Sequence, residues 1–259
     1  MIERWIGAET ETPTMEATIT PEPTHPYHPI GVHIPAYSPN VAPVPVLLAT
    51  LSGTLGFTVL SAAIIAWKYN PRLCGSGMAL FCWFVMNACL HFVFEGYFIF
   101  NHTTVASSQN FLAQLWKEYA LSDSRYLTSD FFMLSVESIT TFVWGPLCLA
   151  NAVAIARGSP SRHALRIMAC MAHLYGVAMY YATSQCEWYF TDRSHSRPEF
   201  VYFWLYYVGF NFPWVVVPSF LLIDSVSTVT RAVRALDKVN AALSYDYIDS
   251  DALESKKTR

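Results

Sequence analysis

Residues 131–156 read FFMLSVESITTFVWGPLCLANAVAIA, with Glu137 as the only charge. A run of this length exceeds the ~20 apolar residues that span a hydrocarbon core of about 30 Å. No water is available there to satisfy the backbone, so the segment must be helical. An acid at the centre of such a helix costs roughly 2.5–3.5 kcal/mol on insertion scales, and proteins that keep one usually use it.

Working outward, four more apolar stretches lie near 44–67, 77–100, 163–184 and 200–223. The second carries His91 and Glu95. The fourth is the most polar, holding His173, Tyr175, Tyr180 and Tyr181, which suits a helix that faces other helices rather than lipid. The chain therefore reads as an all-α integral membrane protein: a five transmembrane helix bundle enclosing an intramembrane cavity. Residues 1–43 form an acidic, proline-rich lead that cannot sustain a helix and reads as extended or disordered. Residues 44–230 form the transmembrane domain, and residues 231–259 a charged tail.

Composition agrees. Of 259 residues, 53% are hydrophobic and 14% charged, against about 25% charged in soluble domains, and the mean hydropathy is +0.29. The net charge of −3 excludes a nucleic-acid footprint. The six cysteines (74, 82, 89, 148, 170, 186) show no metal-binding spacing and read as buried free thiols. No basic, then apolar, leader precedes the first stretch, so no cleavable signal peptide is expected.

Loop charges set the orientation. Lys68 and Arg72 follow the first stretch, and Arg157, Arg162 and Arg166 follow the third. Arg231, Arg234 and Lys238 follow the fifth. The alternate loops are mixed or acidic. The positive-inside rule then puts the C-terminus in the cytosol and the N-terminus outside it, which needs an odd number of spans. The ending Lys256-Lys257-Thr258-Arg259 matches a cytosolic dilysine retrieval pattern for the endoplasmic reticulum.

Three sets of residues carry chemistry. His91 and Glu95, four apart, share one helix face and can share a proton. Glu137 and Thr140 sit three apart on the third stretch, where a carboxylate can take a proton or stabilise a cation. Asn211 and Trp214 sit three apart on the fifth, where an indole face can meet a cation. Pro213 and Pro218 should kink that helix and open a cavity. His173 reads as a packing histidine. No nucleophile elbow or phosphate-binding loop is present, so proton chemistry without a metal or other cofactor is the expectation.

The stretches LHFVFEGYF (90–98), QLWKEYALSDSRY (114–126), VESITTFVWGPL (136–147) and VYFWLYYVGFNFPWVVVP (201–218), with HPY at 25–27, resemble the emopamil-binding protein family over roughly residues 25–235. That family comprises Δ8–Δ7 sterol isomerases of the endoplasmic reticulum with five transmembrane helices. The resemblance implies that His91 and Glu95 deliver a proton, and that Glu137, held by Thr140 and Asn211, stabilises a carbocation faced by Trp214. It further implies that Trp116, Tyr119, Asp123, Arg125 and Tyr126 shape the substrate site; Tyr175 and Tyr207 are further substrate-binding candidates. Two positions depart from the mammalian pattern: Val177 and Ser184 stand where acids are found. The implied substrate is a sterol or other polycyclic lipid drawn from the bilayer, and a homodimer is left open. Two other readings fit the same residues: a terpenoid isomerase or cyclase, and a lipid- or amine-binding protein without catalysis.

Overall fold

The computed structural model describes the backbone of residues 25–257 and the side chains of residues 25–243. The readings placed on residues 1–24 and on the Lys256-Lys257-Thr258-Arg259 ending lie outside those described residues. Helices α1 (Val44–Tyr69), α2 (Gly75–Asn101), α3 (Phe111–Tyr119), α4 (Phe131–Ala156) and α5 (Ser161–Thr191) follow in order. A π-helical segment, Val201–Gly209, then leads through Phe210 and Asn211 into α6 (Phe212–Lys257). No strand occurs among the described residues.

Local chemistry sets the boundaries. Pro45 lies in the first turn of α1, where its missing N–H costs nothing. Asn110 and Asp130 cap α3 and α4, their Oδ1 atoms accepting from Ala113 N at 2.9 Å and Met133 N at 3.0 Å. Gly158, at φ +65°, ends α4 in the left-handed conformation that glycine adopts cheaply. Pro160 then starts α5.

Among the described residues, four segments are long and apolar enough to cross a membrane: α1, α2, α4 and Val201–Leu243. The chain is thus a membrane protein with four such helices. The fifth expected span does form a helix, α5, but it is too polar to meet that measure. Its buried residues explain why: Arg166, Ala169, Cys170, Ala172, His173, Val177, Tyr180 and Ser184 recur at three- and four-residue spacing. This stripe faces protein, so it need not be apolar throughout. Arg166, read as a loop residue, is inside α5 and pairs with Asp224 of α6 at 3.1 Å. The last helix also runs well beyond its expected end at 223. Hydropathy falls there, but residues 219–257 contain neither glycine nor proline, and the helix continues, with residues 231–243 exposed.

α2 packs on α1 and α4, α4 on α5, and α5 on α6. Leu47 and Ala66 are the buried residues of α1, and much of its surface, including Phe57, Leu60 and Ile65, is exposed. That apolar exterior suits lipid.

Residues 102–130 form a compact cap rather than an open loop. Gln114, Trp116, Lys117, Ser122, Asp123, Ser124 and Arg125 are all buried in it. Residues 25–43 lie over it as an extended strap. Tyr27 Oη donates to Lys117 O at 3.0 Å, and Gln114 Oε1 accepts from Val41 N at 3.0 Å and Ala42 N at 2.8 Å. Lys117 Nζ donates to Ser38 O and Ser108 O, both at 2.8 Å, so the ammonium joins strap and cap. Asp123 and Arg125 pair at 2.6 Å, and Arg125 Nη1 donates to Thr183 Oγ1 of α5 at 3.1 Å.

Gln114→Ala should strand two strap N–H groups at about 1–3 kcal/mol each. The expected result is a lowered unfolding midpoint in detergent and faster proteolysis within 25–43. An unchanged midpoint with an equally protected strap would contradict the docking described.

Candidate functional site

A cavity of about 660 Å³ lies between the helices under the cap, a size that suits a small-molecule ligand. Its wall is mainly apolar, with Leu48, Leu51 and Leu55 from α1, Met86 and Leu90 from α2, and Val177 from α5. Polar groups enter at a few places: His91, Glu95, Glu137, Thr140, His173, Asn211 and Trp214 all reach this wall.

The backbone explains their convergence. α2 is π-helical over Leu90–Glu95, α4 over Thr140–Trp144, and the chain before α6 over Val201–Gly209. A π turn bonds i to i+5, admitting an extra residue and redirecting the side chains around it; such turns are rare and concentrate at functional sites. Here they hold His91, Glu95 and Thr140, the second beginning three residues after Glu137 and the third ending two residues before Asn211. Gly96 and Gly145 follow the first two segments, and Gly209 closes the third. At Gly145 a Cβ would lie 2.9 Å from the Phe92 ring, so glycine permits α2 and α4 to approach closely there.

His91 Nδ1 lies 2.8 Å from Glu95 Oε2 and 3.0 Å from Oε1, so the carboxylate holds the imidazole through both oxygens. The other ring nitrogen, Nε2, lies 3.1 Å from His173 Nε2. Cys148 Sγ is 3.8 Å from that same His173 atom. His173, read from the sequence as a packing histidine, is indeed buried; it also lies on the cavity wall and in contact with His91. Its only sequence signal was its place on the buried stripe of α5.

Glu137 Oε1 accepts from Tyr126 Oη at 3.0 Å. Neither expected partner holds it. Thr140 Oγ1 bonds to Val136 O within its own helix at 2.8 Å, the usual outlet for a helical threonine hydroxyl. Asn211 Nδ2 donates to Tyr207 O at 2.8 Å and to Tyr119 Oη at 3.3 Å. Trp214 Nε1 donates to Asn87 Oδ1 at 2.7 Å, and Asn87 is fully buried with its amide bonded to Trp83 O. Asn87 was not singled out in the sequence, since an isolated asparagine in an apolar run carries no mark of its partner.

The cap closes the cavity with Trp116, Tyr119 and Tyr126. Trp116 stacks on Phe94 with centroids 4.2 Å apart, and its Nε1 donates to Phe94 O at 2.9 Å, inside the first π segment. Glu118, also on the wall, accepts from Tyr206 Oη at 3.0 Å, and burial lifts its carboxyl above the ordinary glutamate range. Asp123 and Arg125 stand off the wall and pin the cap to α5. Tyr207 is buried against Tyr180 and Tyr181, also off the wall. Tyr175 is 66% exposed and lies in a separate apolar groove with Val143 and Met171. The side of α5 that meets the cavity runs through Ala172, His173, Gly176, Val177 and Tyr180, and Tyr175 falls outside it.

The family model for EXPERA (EXPanded EBP superfamily) matches residues 111–225. The chain is 35% identical over 227 residues to the 3-beta-hydroxysteroid-Delta(8),Delta(7)-isomerase of Cavia porcellus, covering 85% of this chain and 96% of that one. It is 33% identical over 213 residues to the probable enzyme of the same name from Oryza sativa, covering 81% and 94%. An isomeliandiol synthase of Melia azedarach is 34% identical over 160 residues, covering 61% of this chain and 73% of its own.

Asn87→Leu should leave the Trp214 indole without its acceptor and cost about 1–3 kcal/mol. Denaturation in detergent should show that loss, and wild-type stability would mean that Asn87 does not hold the indole.

Proposed function

The chain belongs to the EXPERA family, the expanded EBP superfamily, and from that premise we propose an intramembrane isomerase that moves a sterol C8–C9 double bond to C7–C8. The observation that carries the reading is the convergence of His91, Glu95 and Glu137 on one apolar cavity, joined to identity with Δ8,Δ7-isomerases over most of the chain.

The reaction adds one proton and removes another. Protonating C9 leaves a tertiary carbocation at C8, and loss of a proton from C7 restores the alkene. His91 and Glu95, in contact at 2.8 Å, deliver the first proton as a general-acid pair. Glu137 stabilises the cation and accepts or relays the second, with Tyr126 rather than Thr140 or Asn211 fixing its carboxylate. Trp214 offers its π-face to the cation, and Asn87 holds the ring. Trp116, Tyr119 and Tyr126 keep water from the intermediate. Excluding water matters because a carbocation captured by water becomes an alcohol.

We extend the reading to five spans. α5, at 31 residues, is about 46 Å long at 1.5 Å per residue, enough to cross. Exposed Trp188, Tyr189 and Phe190 near its end suit a membrane interface. Five crossings also satisfy the loop charges, with the C-terminal side cytosolic, and the family likeness favours the endoplasmic reticulum. The transmembrane unit is 44–230, with residues 25–43 strapped over its cap. A second reading, a polycyclic terpenoid as substrate, draws on the isomeliandiol synthase likeness; a panel of both substrate classes separates the two.

Glu137→Gln and His91→Ala should each lower turnover of a Δ8 sterol by about 10²–10⁴-fold while the protein still inserts. Tyr126→Phe should cost roughly 10- to 100-fold, the worth of a hydrogen bond to a charged group. Sterol analysis of purified variants reads all three, and full turnover by Glu137→Gln or His91→Ala would refute the assignment.

A further inference from the structure

His91 Nε2, His173 Nε2 and Cys148 Sγ, from α2, α5 and α4, lie within 4.8 Å of one another, and all three residues are buried. The geometry points to a binding site for a thiophilic divalent cation of the zinc type, held by these three atoms and inhibitory when filled.

The donor set and its spacing carry this. Two imidazoles and one thiolate are zinc ligands, at bond lengths of about 2.0–2.1 Å and 2.3 Å. Tetrahedral ligands at those lengths stand ~3.3 Å apart for two nitrogens and ~3.6 Å apart for nitrogen and sulfur. The observed separations are 3.1 Å between the two Nε2 atoms and 3.8 Å from His173 Nε2 to Sγ. The nitrogens already stand at ligand spacing.

The surroundings fit as well. Glu95 occupies His91 Nδ1, which directs the lone pair at Nε2 toward His173. A carboxylate behind a ligating histidine is the usual outer support of a zinc site. Charge also balances. A bare divalent ion is costly in a low-dielectric interior, but the Cys148 thiolate and the Glu95 carboxylate together offset two positive charges. On binding, the thiol proton leaves to solvent. His91 and His173 belong to the cavity wall, so an ion can enter from the cavity, and with three protein ligands a fourth position is left for water.

Inhibition rests on the isomerase reading: an ion on His91 Nε2 removes that nitrogen from proton delivery. Cys148 and His173 play no part in the proposed transfer steps, so the site is an addition to the catalytic set.

The test uses full-length protein in detergent, stripped with a chelator and titrated with Co²⁺. One equivalent should bind with a thiolate-to-cobalt charge-transfer band in the near ultraviolet. Cys148→Ser should lose the band, His173→Gln should weaken binding by tenfold or more, and Cys170→Ser should keep the band. Zn²⁺ should inhibit Δ8-sterol turnover of the wild type. Cys148→Ser, with wild-type basal turnover, should need at least tenfold more Zn²⁺. No band in the wild type, or a band that survives Cys148→Ser, overturns the site. Metal-free wild type without turnover would instead strike the isomerase reading, and the cobalt spectrum would still decide the metal site.

Discussion

The hydrogen bond between the His91 imidazole and the Glu95 carboxylate is the contact from which the cavity's arrangement follows. Neither group belongs in a membrane-length apolar helix by itself, because each loses its water there. Together they satisfy one another, and the imidazole keeps a second nitrogen to present elsewhere. Other polar groups on the cavity wall are paired in the same way. Glu137 is held by Tyr126, Trp214 by Asn87, and Asn211 by Tyr207 and Tyr119. Apart from Asn211 with Tyr207, these pairs join separate segments, so the fold must bring those segments into register.

It does so with non-standard backbone. Three π-helical segments lie at or beside three of the places where polar side chains enter the cavity. The cap then fixes their outer ends: the Trp116 indole donates to a carbonyl of the first π segment, and the Tyr126 hydroxyl reaches Glu137. The strap in turn holds the cap through Tyr27, Gln114 and Lys117. Residues far from the chemistry in sequence therefore position it.

Much of this was legible in the sequence. The helix at 131–156 was read to the residue, and the bounds of α1 and α2 to within two, because charges and prolines mark where hydrocarbon ends. The cluster of His91, Glu95, Glu137, Thr140, Asn211 and Trp214 on one cavity was also expected. What the sequence hid has physical causes. π segments have no compositional signature beyond a neighbouring glycine. Tyr126 as the partner of Glu137 and His173 as the partner of His91 are tertiary contacts between helices, which periodicity cannot pair. Tyr175 looked equivalent to its neighbours because linear sequence does not say which side of α5 meets the cavity. α6 outran its expected end because hydropathy marks the membrane and not the helix.

The central claim is that side chains from separate helices move protons on and off an alkene inside a dry cavity. Turnover of a Δ8 sterol by the purified protein in deuterated water tests it most directly. The account predicts a Δ7 product carrying one deuterium at C9. A Δ7 product with no solvent deuterium at C9 would contradict it.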